Sequence, residues 1–337
     1  MRFRDLGVEV GTLPSGKFNA ITDVEGVLVG HHTLNEGDDT HTGVTAILAH
    51  GGNLFTDKVT GAVHTINGFG KASGFEQVRE LGTIETPILL TNTLNVGKVA
   101  DASISYMLQD NPDLRSINPL VGECNDGYIN NIHQRRVSQA HVFSALEQAS
   151  SGRVAEGCVG AGTGTSCYGY KGGIGTASRL VGKYTVGVLM QTNFGRRDEL
   201  TMLGVPIGYH LERGDEPDSG DGSVMIVIAT DAPLTSRQLG RLATRASFGL
   251  GRTGTVCHHG SGDFVIAFST KPLNQAIPDH QNNLMNGLFQ GVVECVEESV
   301  YNALFMAETT QGYQGNTLYA LNADTVRKWL KYYRRLG

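Results

Sequence analysis

The sequence predicts a mixed α/β protein assembled from many short elements. Apolar, β-branched runs of strand length recur between turn residues, and two later stretches repeat apolar residues at helical steps. The 45 glycines are spread along the chain instead of forming one low-complexity block. Strand-like and helix-like segments in alternation call for helices packed on sheets, and dispersed glycine means many tight turns between them.

In chain order, GVLVG at 26–30, GVTAILAH at 43–50 and TPILLTNT at 86–93 read as strands, mixed with helix-like VGKVADASISYMLQ at 96–109 and VSQAHVFSALEQAS at 137–150. GGIGTASRLV at 172–181 and KYTVGVLMQTN at 183–193 read as two further strands. Residues 196–222 form a long linker-like segment, of a length that is usually functional or disordered. At its end the chain changes character between neighbours: DSGDG is small, polar and acidic, VMIVIAT is the composition of a buried strand, and Ser223 stands at the joint. A helix follows in 233–252, with Leu239, Leu242, Ala246 and Leu250 at helical spacing. GDFVIAFST at 262–270 is another strand. The last long helix lies within 280–305, where Leu284, Leu288, Val292, Val296 and Val300 recur at fourth-residue steps. No internal repeat is visible, and composition places no domain boundary.

At 337 residues the chain holds one large domain or two ordinary ones. With 40% hydrophobic and 18% charged residues it is globular and not disordered. The net charge of −6, from 27 Lys+Arg against 33 Asp+Glu, gives no basic footprint for nucleic acid, so a small or neutral partner fits better. Residues 1–16, MRFRDLGVEVGTLPSG, carry charges where a signal peptide needs an apolar stretch. No run approaches the roughly 18 apolar residues of a membrane span, so a cytoplasmic protein without a membrane partner is expected. The cysteines, Cys124, Cys158, Cys167, Cys257 and Cys295, are odd in number and not closely paired, which suits reduced thiols.

Three chemistries compete. AGTGTSCYGYKGGIG at 161–175 is dense in glycine but completes neither GxxxxGK[ST] nor GxGxxG, and Gly182-Lys183 is followed by Tyr184; closely packed backbone is the simpler reading. Cys124, or Cys257 beside His258 and His259, offers a thiol nucleophile, yet a thiolate needs a base or positive field that the local sequence does not supply. The spacing around Cys257-His258-His259 matches no zinc pattern. The third chemistry uses Ser223. A serine hydroxyl needs a base within hydrogen-bond reach, and the serine's own α-amine serves once it becomes a chain terminus. Its unperturbed pKa of about 7.7–8.0 suits taking a proton and returning it. The peptide bond after Gly222 must first be cut, which glycine's missing Cβ favours.

The strings DGSVMIVIATDAPL at 221–234, RLATRASFGLGRTG at 241–254, SGDFVIAFST at 261–270, VGVLMQTNFGRRDEL at 186–200, GTGTSCYGYKGGIGTASR at 162–179, HGGNLFTDKV at 50–59 and NAITDVEGVLVGHHT at 19–33 together resemble the DmpA family. These are self-cleaving serine aminopeptidases, named for L-aminopeptidase/D-alanyl esterase-amidase activity and including β-aminopeptidases. The resemblance runs from about residue 4 to 321. It implies a single domain with a four-layered αββα sandwich, similar to N-terminal-nucleophile hydrolases and to ornithine acetyltransferases, cut into chains 1–222 and 223–337. It also implies that Ser223 is the nucleophile, Gly222 the residue before the cut, and Asn193 an oxyanion donor. Ser261 and Asp263 match the hydroxyl and carboxylate beside the nucleophile's amine, and Glu123 the carboxylate that binds the substrate's free amine. Asp263 stands where β-peptidase members are expected to carry Glu, which leaves the preference between α- and β-peptides open. Cys124 and Asn125 depart from the Thr and aromatic residue of the pattern, which leaves the pocket's shape open.

Singly, each of these residues reads as a turn or strand-edge residue; together, in one order on one chain, they read as a site. The expected protein is a self-processing aminopeptidase or amidase acting on short peptides, amides or esters with a free amino terminus. It needs no metal or organic cofactor and forms a homo-oligomer of two-chain units. The alternatives are an acyltransferase of the ornithine acetyltransferase type, whose threonine nucleophile Ser223 does not match, and a silent ligand-binding relative.

Overall fold

A computed structural model describes residues 1–211, 222–273, 277–278 and 281–336. Strands β1 (Leu28–Glu36), β2 (Thr40–Leu48) and β3 (Val59–Gly68) lead to helix α1 (Phe75–Leu81), the short β4 (Thr83–Ile84) and β5 (Ile88–Asn92). Then come α2 (Val96–Asp110), β6 (Leu120–Cys124), α3 (Gln139–Glu147), and a small hairpin of β7 (Ser166–Cys167) and β8 (Tyr170–Lys171). β9 (Ile174–Val181), β10 (Tyr184–Asn193), β11 (Gly222–Thr230), α4 (Ser236–Arg252), β12 (Ser261–Ser269) and α5 (Asn282–Phe305) follow. A second hairpin, β13 (Thr310–Gln311) with β14 (Thr317–Leu318), and α6 (Ala323–Tyr332) end the chain.

The main strands form two sheets, one in the order β1-β2-β5-β6 and one in the order β4-β3-β12-β11-β10-β9. Strand alternation separates their faces. In β11, Val224, Ile226 and Ile228 join the core beneath α4 and α5, while Met225, Val227 and Ala229 join a core shared with Ile47, Ile88 and Leu90 of the other sheet. In the smaller sheet, Val44, Ala46 and Leu89 face away and pack with Val99 of α2 and Val142 of α3. Helix, sheet, sheet and helix are therefore stacked as four layers, the αββα arrangement expected from the resemblance. Both faces of β11 are covered, which is why it reads as an unbroken apolar run. Among the described residues no helix is long and apolar enough to cross a membrane.

One expectation is corrected. The stretch 196–222 is not a linker over its first part: Leu200, Met202, Val205 and Ile207 are buried in the larger core, and 3-10 turns run over Arg197–Glu199 and Ile207–His210. Its apolar residues are too scattered among polar ones to show a strand or helix period, yet burying them adds to that core. The acidic remainder, 212–221, lies outside the described residues. Helix α5 is also more deeply buried than an apolar stripe requires. Glu294, Glu298 and Asn302 are inside as well, because Arg179 and Arg4 meet the two glutamates.

Candidate active site

Ser223 is the second residue of β11 and shares the parity of Met225, so its side chain faces the cleft between the sheets. It is 3% exposed. Its Oγ accepts a hydrogen bond from the Asn125 N–H, just beyond β6, at 3.2 Å, and the Cys124 thiol lies against the same hydroxyl. The C-terminal ends of β6 and β10 thus meet the N-terminal end of β11 at one mouth of the sheet stack.

The cross-strand partner of Ser223 is Asn193, the last residue of β10, on the cleft side like Leu189. Its Oδ1 accepts from both the N–H and the Oγ of Ser166, at 3.0 and 3.1 Å. An amide whose oxygen is held twice turns its Nδ2 hydrogens away from that partner as a donor end. Gly222 packs against this pair: a Cβ there would come within 2.5 Å of the Asn193 carbonyl oxygen. Glycine at 222 therefore has a steric reason in addition to turn chemistry.

On the other side of β11, Gly222 pairs with Ser261 and Ser223 with Gly262. Ser261 Oγ donates to Asp263 Oδ1 at 2.6 Å, and both residues are buried. Phe264, Ile266 and Phe268 face the cleft while Val265 and Ala267 face the helices, so alternation puts Ser261 and Asp263 on the helix side, away from the Ser223 hydroxyl. Asp263 Oδ2 is buried with the Cys257 thiol beside it and, among the described residues, accepts no hydrogen bond from an N–H or O–H group. Burial pushes the Asp263 carboxyl above the usual range, against the bond from Ser261, the adjacent Cys257 thiol and the charge of His258.

Glu123 is the fourth residue of β6 and is also buried. Its Oε1 accepts the Lys71 N–H at 2.9 Å. Gly70 lies between it and Gly262, the strand partner of Ser223: a Cβ on Gly70 would stand 3.1 Å from Glu123 Oε1 and 3.1 Å from Gly262 Cα. Glu123 is thus linked through Gly70 to Gly262, which pairs with Ser223, and among the described residues no hydrogen bond joins Glu123 to Ser223 itself. Burial pushes its carboxyl upward, against the Lys71 N–H bond and charge. Among the described residues, no ion pair neutralises Glu123 or Asp263.

Two contributors were not visible in the sequence. One is the backbone N–H of Asn125. The turn that presents it is anchored by buried Asp126, whose carboxylate accepts from Asn130 Nδ2 at 2.9 Å and Asn92 Nδ2 at 3.1 Å; burial pushes that carboxyl up to about 6, against bonds from Thr42, Asn130 and Asn92. The other is Ser166, delivered by the glycine-dense segment 161–175, whose glycines are occupied by close packing: a Cβ on Gly164 would meet His41 O at 2.1 Å. The rival thiols are poor nucleophiles here. Burial pushes Cys124 well above the usual thiol range and Cys257 to about 12. His258 Nε2 bonds Glu199 Oε1 at 2.8 Å, and among the described residues no three His, Cys, Asp or Glu side chains gather as a metal-ligand set.

The chain matches the model of Peptidase family S58 over residues 19–318. It is 39% identical to the beta-peptidyl aminopeptidase BapA of Sphingosinicella microcystinivorans over an alignment of 371 residues, covering 100% of this chain and 93% of that protein. Among solved structures it is similar to a beta-aminopeptidase of Burkholderia sp., with TM-score 0.89 and 40% identity, covering 100% of this chain and 99% of the other. It is likewise similar to the L-aminopeptidase D-Ala-esterase/amidase of Ochrobactrum anthropi, a prototype for the serine aminopeptidases and a variant of the Ntn hydrolase fold, with TM-score 0.91 and 38% identity over 100% of this chain and 99% of that one. With the sandwich, the serine-centred cleft and a family match along most of its length, this chain belongs to peptidase family S58 and is a peptide-bond hydrolase of the aminopeptidase type.

Proposed function

We propose that Ser223 is the nucleophile of this aminopeptidase, freed as an N-terminal residue by a cut after Gly222 into chains 1–222 and 223–337. The observation that carries the reading is that the Asn125 N–H donates to the Ser223 hydroxyl at 3.2 Å and that Asn193, its amide oxygen held by Ser166, is the cross-strand partner of Ser223. In this reading the Asn125 N–H and the Asn193 amide are the two oxyanion donors. In the cutting step Ser223 Oγ attacks the Gly222 carbonyl, the acyl group shifts from nitrogen to oxygen, and water hydrolyses the ester.

The released amine is the base. Its unperturbed pKa of about 7.7–8.0 leaves a useful neutral fraction near pH 7.5. Ser261 and Asp263 flank Gly262, the strand partner of Ser223, and hold the amine from the helix side while the hydroxyl stays open to the cleft. In turnover Ser223 attacks the aminoacyl carbonyl and its amine takes the hydroxyl proton. The two donors stabilise the oxyanion. The amine returns the proton to the leaving group, and water then frees the acyl group from Ser223. Glu123 supplies the preference for a free amino terminus, since a cationic amine satisfies its buried carboxylate and an acylated amine does not.

The relatives' names, beta-peptidyl aminopeptidase and L-aminopeptidase D-Ala-esterase/amidase, support small N-terminal aminoacyl groups of short peptides, amides and esters as the substrate class. Two-chain units associating into a cytoplasmic homo-oligomer complete the reading. Intact mass of freshly purified, active protein tests the cut: two masses corresponding to 1–222 and 223–337 are expected, and full-length mass alone in an active sample rejects it.

A further inference from the structure

Lys171 is fully buried, a rare place for an ammonium group, and no step above uses it. It ends β8 and pairs with Ser166 across the small hairpin. Its Nζ donates to three backbone carbonyls, Thr165 O and Gly172 O at 2.8 Å each and Gly162 O at 3.2 Å. A neutral amine carries two hydrogens, so three acceptors call for the ammonium form. Burial lowers the Lys171 pKa, against the opposing influence of Cys158, Asp126 and Cys167 nearby.

One of the three carbonyls has a particular consequence. The carbonyl of Thr165 and the N–H of Ser166 are the two ends of a single peptide group. Its oxygen accepts from Lys171 Nζ, and its N–H donates to Asn193 Oδ1 at 3.0 Å. The Asn193 amide then continues the chain from the strand position opposite Ser223. Ammonium, peptide and side-chain amide are linked donor to acceptor, so polarisation at each link strengthens the next, by about 10–30% per bond. In a buried setting the ammonium charge is weakly screened.

The geometry points to Lys171 as a positioning residue for the oxyanion donor: its ammonium fixes and polarises the Thr165–Ser166 peptide, which in turn holds the Asn193 amide as a donor for the reacting carbonyl. This rests on the reading of Asn193 as an oxyanion donor. Because negative charge on that oxygen develops only in the transition state, Lys171 acts on turnover and not on ground-state binding.

The test is a double-mutant cycle of Lys171→Met, Asn193→Ala and both together, with an aminoacyl p-nitroanilide and rates expressed per mole of cut protein. Lys171→Met is expected to lower kcat by about 10-fold to 100-fold with KM held within about threefold. In the Asn193→Ala background the same substitution is expected to cost less than about twofold, because the group it acts through is gone. Equal losses in the two backgrounds, or a loss carried by KM, overturn the proposal. Should Lys171→Met yield too little folded protein, Lys171→Gln, which keeps hydrogen-bond donors but removes the charge, is read in the same cycle. Wild-type turnover in Asn193→Ala alone overturns the oxyanion reading itself, so the two failures are distinguishable.

Discussion

Two sets of buried carboxylates in this protein are treated in opposite ways. Around α5, Glu294 and Glu298 meet Arg179, which is fully buried, at 2.9 and 2.6 Å, and Arg4 adds a contact to Glu298 at 2.5 Å. Burial raises the Glu298 pKa, but Arg4 and Arg179 outweigh it and hold the carboxyl below its usual range. Among the described residues, Glu123 and Asp263 have no such partner, and burial prevails, raising both. The first cluster is complete within the chain and joins α5 to β9 and the N-terminal segment. The second is incomplete, and two cations complete it in the proposed reaction: the substrate's amine at Glu123 and the Ser223 amine at Asp263.

The largest effect expected from probing this contrast is at the nucleophile. Ser223→Ala should remain a single uncut chain and lose kcat on the order of 10⁶-fold, the scale seen when a serine hydrolase loses its nucleophile. Cut, active Ser223→Ala protein would move the nucleophile elsewhere. Next is the completed cluster. Arg179→Met leaves two buried glutamates short of a partner and should cost about 3–5 kcal/mol in urea unfolding, whereas Glu123→Gln, which removes an unpaired charge, should cost little or none. Similar losses for the two variants would erase the distinction between them.

Asn193→Ala should fold and lose about 10²–10³-fold in kcat, the loss expected for one oxyanion donor; a fully processed variant with wild-type rate would remove it from the site. A smaller factor, roughly 10–100-fold in kcat/KM, should separate a free aminoacyl p-nitroanilide from its N-acetyl form, the worth of one hydrogen bond to a charged group. Glu123→Gln should shrink that preference. Equal cleavage of both substrates by the wild type would mean that Glu123 reads no amine.

The mildest expectation concerns pH. Folding raises the Asp126 carboxyl from 3.8 to about 6, so between those values the folded state holds the extra proton and stability falls as pH rises. That contribution is complete below about 3.8 and lost as pH passes through about 6. Asp126→Asn should flatten the stability profile across this window in denaturant titrations at successive pH values. An unchanged slope would show that Asp126 does not titrate there.

Much of the fold was legible because its strands carry their signature locally. The run from Val224 to Ala229 is covered on both faces, so every position had to be apolar, and Leu239, Leu242, Ala246 and Leu250 mark the buried side of α4. The segment 196–211 was not legible, since its buried residues follow no period. The polar residues Glu294 and Glu298 were missed as core because their burial depends on Arg179 and Arg4, which lie far off in sequence.

The sequence by itself determined the mixed α/β class, most of the longer strands and helices though not β3, β6, α1 or α6, and the abrupt joint at Ser223. Its family resemblance nominated the site residues. These are properties of residues near one another along the chain, or of a pattern spread along it. Only the tertiary structure decided which face of β11 carries the hydroxyl, that Asn125 contributes a backbone N–H, and that Ser166 fixes the Asn193 amide. It also decided that Asp263 lies on the helix side of the sheet, opposite the Ser223 hydroxyl. Those facts depend on strand register and on which sheet covers which face. A slip of one residue in β11 would turn Ser223 toward the helices without changing a letter of the sequence.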